Sequence, residues 1–278
     1  MEKSLLKLIK DRLNDEDFRL PIFDKTAYRI QQEVSKEEPD IPAIEKLITG
    51  DPSLTSQLLK IANSAFYKGL EKVGTVHNAI IRLGLQEIAS MVILVTQKRN
   101  YHANDPAVAK IMKKIWQHSV GGAIGSHWLA KKCGFYDLIH EAFVAGLLHD
   151  TGKLVLLTAF EDVKTNGSLD QPVPESLIYE IMSDFHCEIG EMIMNQWNLP
   201  DIYAVIARDH NGEKFDVQNS LLTIVRLVNK ACQKMGIGFH YRPDLVLSAS
   251  VEADILNLTG LDIAQLEIKL EDSFSLPT

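Results

Sequence analysis

Residues Leu147 to Lys153 read LLHDTGK, an imidazole beside a carboxylate directly after an apolar run. Burying such groups without partners is costly, so something must pair with them: a metal ion, a phosphate or each other. Other polar residues lie on apolar stripes at helical spacing. His118 shares a face with Ile111, Ile115, Gly122, Gly125 and Leu129. His149 and Lys153 share one with Ala142, Ala145, Gly146 and Leu157, with Asp150 adjacent. His186 falls in line with Ile189, Gly190, Ile193 and Trp197, and His210 with Tyr203, Ile206 and Ala207. Asn229 does so with Leu222, Val225 and Cys232. Steps of three and four place such residues on one side of a helix. Four histidines, an aspartate and an asparagine thus point inward from five helices, which suggests a shared polar centre. Each buried histidine could instead be satisfied by a local hydrogen bond, and spacing alone does not show convergence.

The elements that must carry these residues are helical, because strand patterns are scarce. Asp51 and Pro52 supply an N-cap and a first-turn proline ahead of Leu54, Leu58, Leu59 and Ala62. A further helix from about Val76 is interrupted near Gly84 and resumes from Ile88 to Thr96. HANDP, His102 to Pro106, marks the best boundary. Beyond it, helices are predicted over about 108–133, 139–159, 174–196, 200–210, 219–235 and 262–271, with a loop over 162–173. The predicted fold is all-α and two-lobed, with helical lobes over residues 1–104 and 105–278.

Composition narrows the function. Across 278 residues, 46% are apolar and the net charge is −8, which disfavours a bulk nucleic-acid or membrane-surface binder. AIIRLGLQEIASMVI, with Gly84 in its turn, has a helix–turn–helix cadence, but the acidic total opposes a nucleic-acid partner. The longest apolar runs are too short to span a bilayer. Cys133, Cys187 and Cys232 form no pairing pattern and imply a reduced, cytoplasmic protein. The first twenty residues read as an amphipathic helix and not as a signal peptide. Cys187 reads as packing, and Asp51, Asn63 and Ser64 as caps and turn-formers. His77, His102, His127, His140 and His240 read as surface or boundary residues.

LLHDTGK, preceded by WQHS (Trp116 to Ser119) and followed by HCEIGEMIMNQWNLP and ARDH, resembles the HD superfamily of metal-dependent phosphohydrolases. DPSLTSQLLKIANSAFY (Asp51 to Tyr67) and AIIRLG (Ala79 to Gly84) narrow the resemblance to its HDOD branch, the HD-related output domains of bacterial signalling proteins. The similarity covers roughly residues 18–235. It implies an HD-like C-terminal lobe and metal ligands at His118, His149, Asp150, His186 and His210, with Asn229 where the superfamily has its last aspartate. Iron, manganese, zinc or magnesium would suit these donors. Such a metal would activate water and hold a phosphoryl oxygen, with Asp150 and Lys153 as the catalytic pair. Asn229 keeps an oxygen donor but removes a negative charge, which would weaken metal binding. Lys153 could alternatively serve only to pair with Asp150.

Two functions stay open. The HDOD resemblance implies a regulatory module acting through a signalling protein or a small ligand, a nucleotide among them, with a retained or vestigial metal site. The histidine set implies a metal-dependent phosphohydrolase acting on a nucleotide or another phosphoester. The asparagine at position 229 tips the balance toward regulation.

Overall fold

The computed structural model of the chain describes residues 2–64, 67, 71–169 and 172–273. The fold is all-α, and no strand occurs among the described residues. Among the described residues, six helices precede residue 104: α1 (Glu2–Leu13), α2 (Lys25–Val34), α3 (Ile41–Thr49), α4 (Pro52–Ala62), α5 (Val76–Leu83) and α6 (Leu85–Lys98). The long α7 (Pro106–Lys132) leads into α8 (Ile139–Leu148), α9 (Thr151–Thr165), α10 (Glu175–Gln196), α11 (Asp201–Asp209) and α12 (Ser220–Met235). Two shorter elements, α13 (Val251–Ile255) and α14 (Gly260–Asp272), follow.

The helix starts are written in local chemistry. Asp51 accepts hydrogen bonds from the amides of Ser53 and Leu54 at 2.9 and 3.0 Å, with Pro52 at the first helical position. Asp105 does the same for α7, accepting from Ala107 and Val108 ahead of the first-turn Pro106. These carboxylates satisfy amides that have no partner within the helix.

α2, α4 and α5 pack on α6, with α3 set against α2, α4 and α5; α7 packs along α8, α12 and α14, while α10 lies against α9 and α11. α1 crosses over to α9, where Arg12 donates from Nε and Nη2 to Asp162 at 3.2 and 3.1 Å. α6 also meets α8, so one apolar core runs through both groups of helices. The helix–turn–helix cadence around Gly84 corresponds to α5 and α6, which meet at that residue. Every residue of α6 from Glu87 to Gln97 is buried, which leaves no free helix face to enter a groove. The apolar stretch Tyr136–Thr165 is long enough to cross a bilayer by composition, yet it is broken between α8 and α9 and its most apolar part is buried within the protein.

Two departures from the sequence reading matter. The helix expected over 139–159 is two helices, and the break falls on His149 and Asp150. On an unbroken helix of 3.6 residues per turn, neighbouring side chains diverge by about 100°. The break allows this adjacent pair to serve one point. α9 then continues to Thr165, into the segment expected to be loop.

Close helix approach makes the pair accessible to its neighbours. Gly122 of α7 and Gly146 of α8 face one another so tightly that a Cβ on either would strike the other's carbonyl. Gly152 lies against α10, where a Cβ would collide with the His186 carbonyl oxygen and come within 2.7 Å of the Gly190 amide nitrogen. Overpacking ordinarily costs about 1–3 kcal/mol, and backbone yields less readily than a side chain. Gly152→Ala is therefore expected to destabilise the protein by at least that range in urea unfolding, whereas an unchanged midpoint would mean that α9 and α10 are not in fixed contact.

Candidate metal centre

α7 contributes His118, the α8–α9 break contributes His149 and Asp150, and the first turn of α9 contributes Lys153. α10 contributes His186, and His210 caps the C-terminal end of α11. These six residues are each no more than 6% exposed.

Their polar atoms surround the Asp150 carboxylate. His118 Nε2 and His149 Nε2 lie 3.2 and 3.6 Å from Oδ2, and 3.2 Å from each other. On the other side, His210 Nε2 and His186 Nε2 lie 3.3 and 3.5 Å from Oδ1, and 3.3 Å from each other. The carboxylate thus stands between two pairs of imidazoles. Lys153 Nζ donates to Oδ2 at 2.6 Å and lies 5.0 Å from the Phe239 ring centroid.

The opposite ring nitrogens explain the orientation. Nδ1 of His118 donates to Ile237 O at 3.0 Å, and that of His149 to Gly146 O at 2.8 Å. His186 Nδ1 donates to Ser183 O and His210 Nδ1 to Ala207 O, both at 2.9 Å. A carbonyl only accepts, so each of these bonds fixes a proton on Nδ1 and leaves Nε2 facing the carboxylate. Asp150 Oδ1 accordingly has two ring nitrogens nearby but no proper hydrogen-bond donor. Acceptors gathered around an acceptor are stabilised by a cation. Imidazoles anchored through the other nitrogen are the arrangement found around bound metals.

Electrostatics agrees. Burial resists charge on Asp150, but Lys153, the neighbouring histidines and their hydrogen bonds outweigh it and hold the carboxyl well below its usual range. Burial pushes His149 down to about 3 and lowers His186, so both are neutral and able to donate lone pairs. Burial also opposes charge on His118, yet its hydrogen bond to Asp150 prevails and raises it to about 10, so a metal would take the place of the proton that His118 Nε2 shares with Asp150. The donor set fits a divalent metal: His118 and His149 with one carboxylate oxygen, His186 and His210 with the other.

Asn229 stands further out. Its Nδ2 donates to Asn211 Oδ1 at 2.9 Å, and Asn211 Nδ2 reaches His186 Nε2 at 3.0 Å. Asn211, just past the C-terminal cap of α11, is thus the amide next to the imidazoles. Cys187, expected to be packing, brings Sγ to 3.5 Å from His186 Nε2, although burial raises its thiol to about 12 and keeps it protonated. The segment after α12 also escaped the sequence reading. Gly238, at φ 110°, would place a Cβ 3.2 Å from His118 Nδ1, and Phe239 stacks on Tyr179 with ring centroids 5.0 Å apart. Tyr101 joins from the end of α6, its hydroxyl 3.2 Å from Ser119 Oγ and its pKa raised by burial to about 12.

The model of the HDOD domain matches residues 20–212, about two thirds of the chain. The chain belongs to the HDOD family. Among curated proteins it is 27% identical over 208 residues to an uncharacterised protein of Treponema pallidum, an alignment covering 73% of this chain and 39% of the other. It is 32% identical over 87 residues to the uncharacterised protein YuxH of Bacillus subtilis, covering 30% and 21% respectively. The chain thus spans well under half the length of these relatives.

Solved structures show the same fold. An HDOD protein of unknown function from Geobacter sulfurreducens superposes with a TM-score of 0.74 at 20% identity, covering 98% of this chain and 95% of that one. A candidate metal-dependent phosphohydrolase from Shewanella amazonensis gives 0.73 at 17%, covering 98% and 99%. A candidate signal transduction protein from Marinobacter aquaeolei gives 0.68 at 22%, covering 99% and 64%.

Two outcomes are expected from this HDOD centre. Lys153→Met leaves Asp150 without its ammonium, and removing one partner of a buried pair costs about 3–5 kcal/mol. Urea unfolding in the presence of a chelator should show that loss, and an unchanged midpoint would mean that the pair is not stabilising. Asn229→Asp replaces a donor to Asn211 with an acceptor, which favours turning the Asn211 oxygen toward His186. Competition against a chelating dye should show metal affinity raised by roughly tenfold, the scale of changes behind a ligand. No change would separate Asn229 from the centre.

Proposed function

We propose that this HDOD chain is a regulatory module of signal transduction in which the His/Asp centre binds a divalent metal without supporting turnover. The observation that carries this reading is the state of Lys153. Its ammonium is the natural group to meet a phosphate, yet it is 3% exposed, bonded to Asp150 at 2.6 Å and covered by Phe239. A phosphoester would need that ammonium freed and the cover removed.

The signal would then act on packing. Between α6 and α7 lies a cavity of about 440 Å³ lined by Lys98, Tyr101, His102, Lys113, Trp116 and Gln117. Its basic groups suit an anionic small ligand, a nucleotide among them. Tyr101 lines it and also bonds Ser119, one residue beyond the metal-facing His118. A ligand that favours one placement of Tyr101 would bias the relation of the helices before residue 104 to those after it. The lobe boundary at residue 104, the cytoplasmic setting and a separate signalling protein as partner belong to the same proposal. The three free cysteines fit a reducing compartment.

A second reading, metal-dependent phosphohydrolase, is favoured by the four ring nitrogens converging on Asp150. A divalent metal held there would supply Lewis acidity toward water and a phosphoryl oxygen. Asp150 and Lys153 would position the reacting groups.

The two readings separate in one experiment. Protein purified without chelators is analysed for metal and then assayed on generic phosphoesters with added Mn²⁺ or Fe²⁺. Bound metal with no turnover above the metal-only background is expected. Robust hydrolysis that disappears in Asp150→Ala would establish the enzyme instead.

A further inference from the structure

We propose that Glu87, His127 and His140 form a second divalent-metal site, which ties α6 to the α7–α8 pair. Glu87 comes from α6, His127 from α7 and His140 from the first turn of α8. His127 is nine residues beyond His118, about 14 Å along α7 at 1.5 Å per residue, so the cluster is separate from the Asp150 centre.

The three residues offer ligand atoms that all lie within 4.8 Å of one another. His127 Nε2 is 3.1 Å from Glu87 Oε2, and His140 Nδ1 is 3.8 Å from the same oxygen. Ligands about 2.0–2.1 Å from a tetrahedral zinc ion are roughly 3.3 Å apart, so the two separations bracket that edge. At 3.8 Å, His140 Nδ1 is too far to hydrogen-bond Glu87. It is nevertheless shielded from solvent and has no hydrogen-bond partner. A buried ring nitrogen left unpaired calls for an explanation, and an ion shared with Glu87 and His127 provides one.

Two further features prepare the site. The Tyr67 hydroxyl donates to Glu87 Oε1 and leaves Oε2 to face the imidazoles. This is the outer hydrogen bond typical of a carboxylate ligand. Glu87 is 8% exposed, but the histidine and tyrosine contacts offset the effect of burial and keep it ionised. Burial lowers the pKa of His140 and keeps its ring neutral at pH 7. The His140 side chain retains 30% exposure, which leaves solvent a route to a fourth coordination position. Two imidazoles and a carboxylate with an open position suit Zn²⁺, Co²⁺ or Ni²⁺.

The test is equilibrium dialysis of the full chain against Zn²⁺, with zinc counted by elemental analysis. His140→Ala, a partly exposed substitution that should leave the fold intact, is expected to bind one equivalent fewer than the wild type. It should also lose part of the zinc-dependent rise in Tm. His149→Ala, in the Asp150 centre, should retain the equivalent that His140→Ala loses. Equal zinc stoichiometry in the wild type and His140→Ala would overturn the proposal. Glu87→Gln can lose the fold because Glu87 is buried, so the decision rests on His140.

Discussion

One buried carboxylate organises the C-terminal helices. Asp150 is 1% exposed, and its charge is matched by the Lys153 ammonium and the His118 ring on the Oδ2 side, while His186 and His210 face Oδ1. Unpaired, that charge would cost far more than one hydrogen bond returns. The helices that supply its partners must therefore pack within narrow limits. The glycine contacts between α7 and α8, and between α9 and α10, meet that demand by letting backbones approach where side chains would hold them apart.

Carbonyl oxygens complete the centre. Each imidazole is held through Nδ1 by a backbone acceptor, three of them within its own helical segment and one, Ile237, from the segment after α12. Local anchoring fixes three rings as soon as their helices form. His118 is fixed only when the distant segment closes over it, bringing Phe239 above Lys153. Assembly of the centre and sealing of the centre are thus one packing event. That coupling is compatible with the proposed regulatory role, in which the packing of the centre would be the output.

Much of this was legible in the sequence, and the misses have physical causes. Helical periodicity placed His118, His149, His186 and His210 on inward stripes, and those four imidazoles meet at Asp150. The same periodicity hid the helix break at His149 and Asp150, because the apolar pattern continues through it. An Asn-Gly pair such as Asn211–Gly212 signals a turn, so the place of Asn211 between Asn229 and His186 carries no signal in the sequence. Glu87, His127 and His140 were invisible for a different reason. Three residues spread over fifty positions carry no spacing signal, and only the meeting of α6 with α7 and α8 brings them together.

The convergence of the ring nitrogens on Asp150 can be measured most directly by anomalous diffraction from crystals of the chain grown with Mn²⁺. The expected result is anomalous density within bonding distance of Asp150 and of Nε2 on His118 and His149, on His186 and His210, or on both pairs. Manganese bound only at surface carboxylates, with these four imidazoles hydrogen-bonded elsewhere, would contradict a shared metal centre.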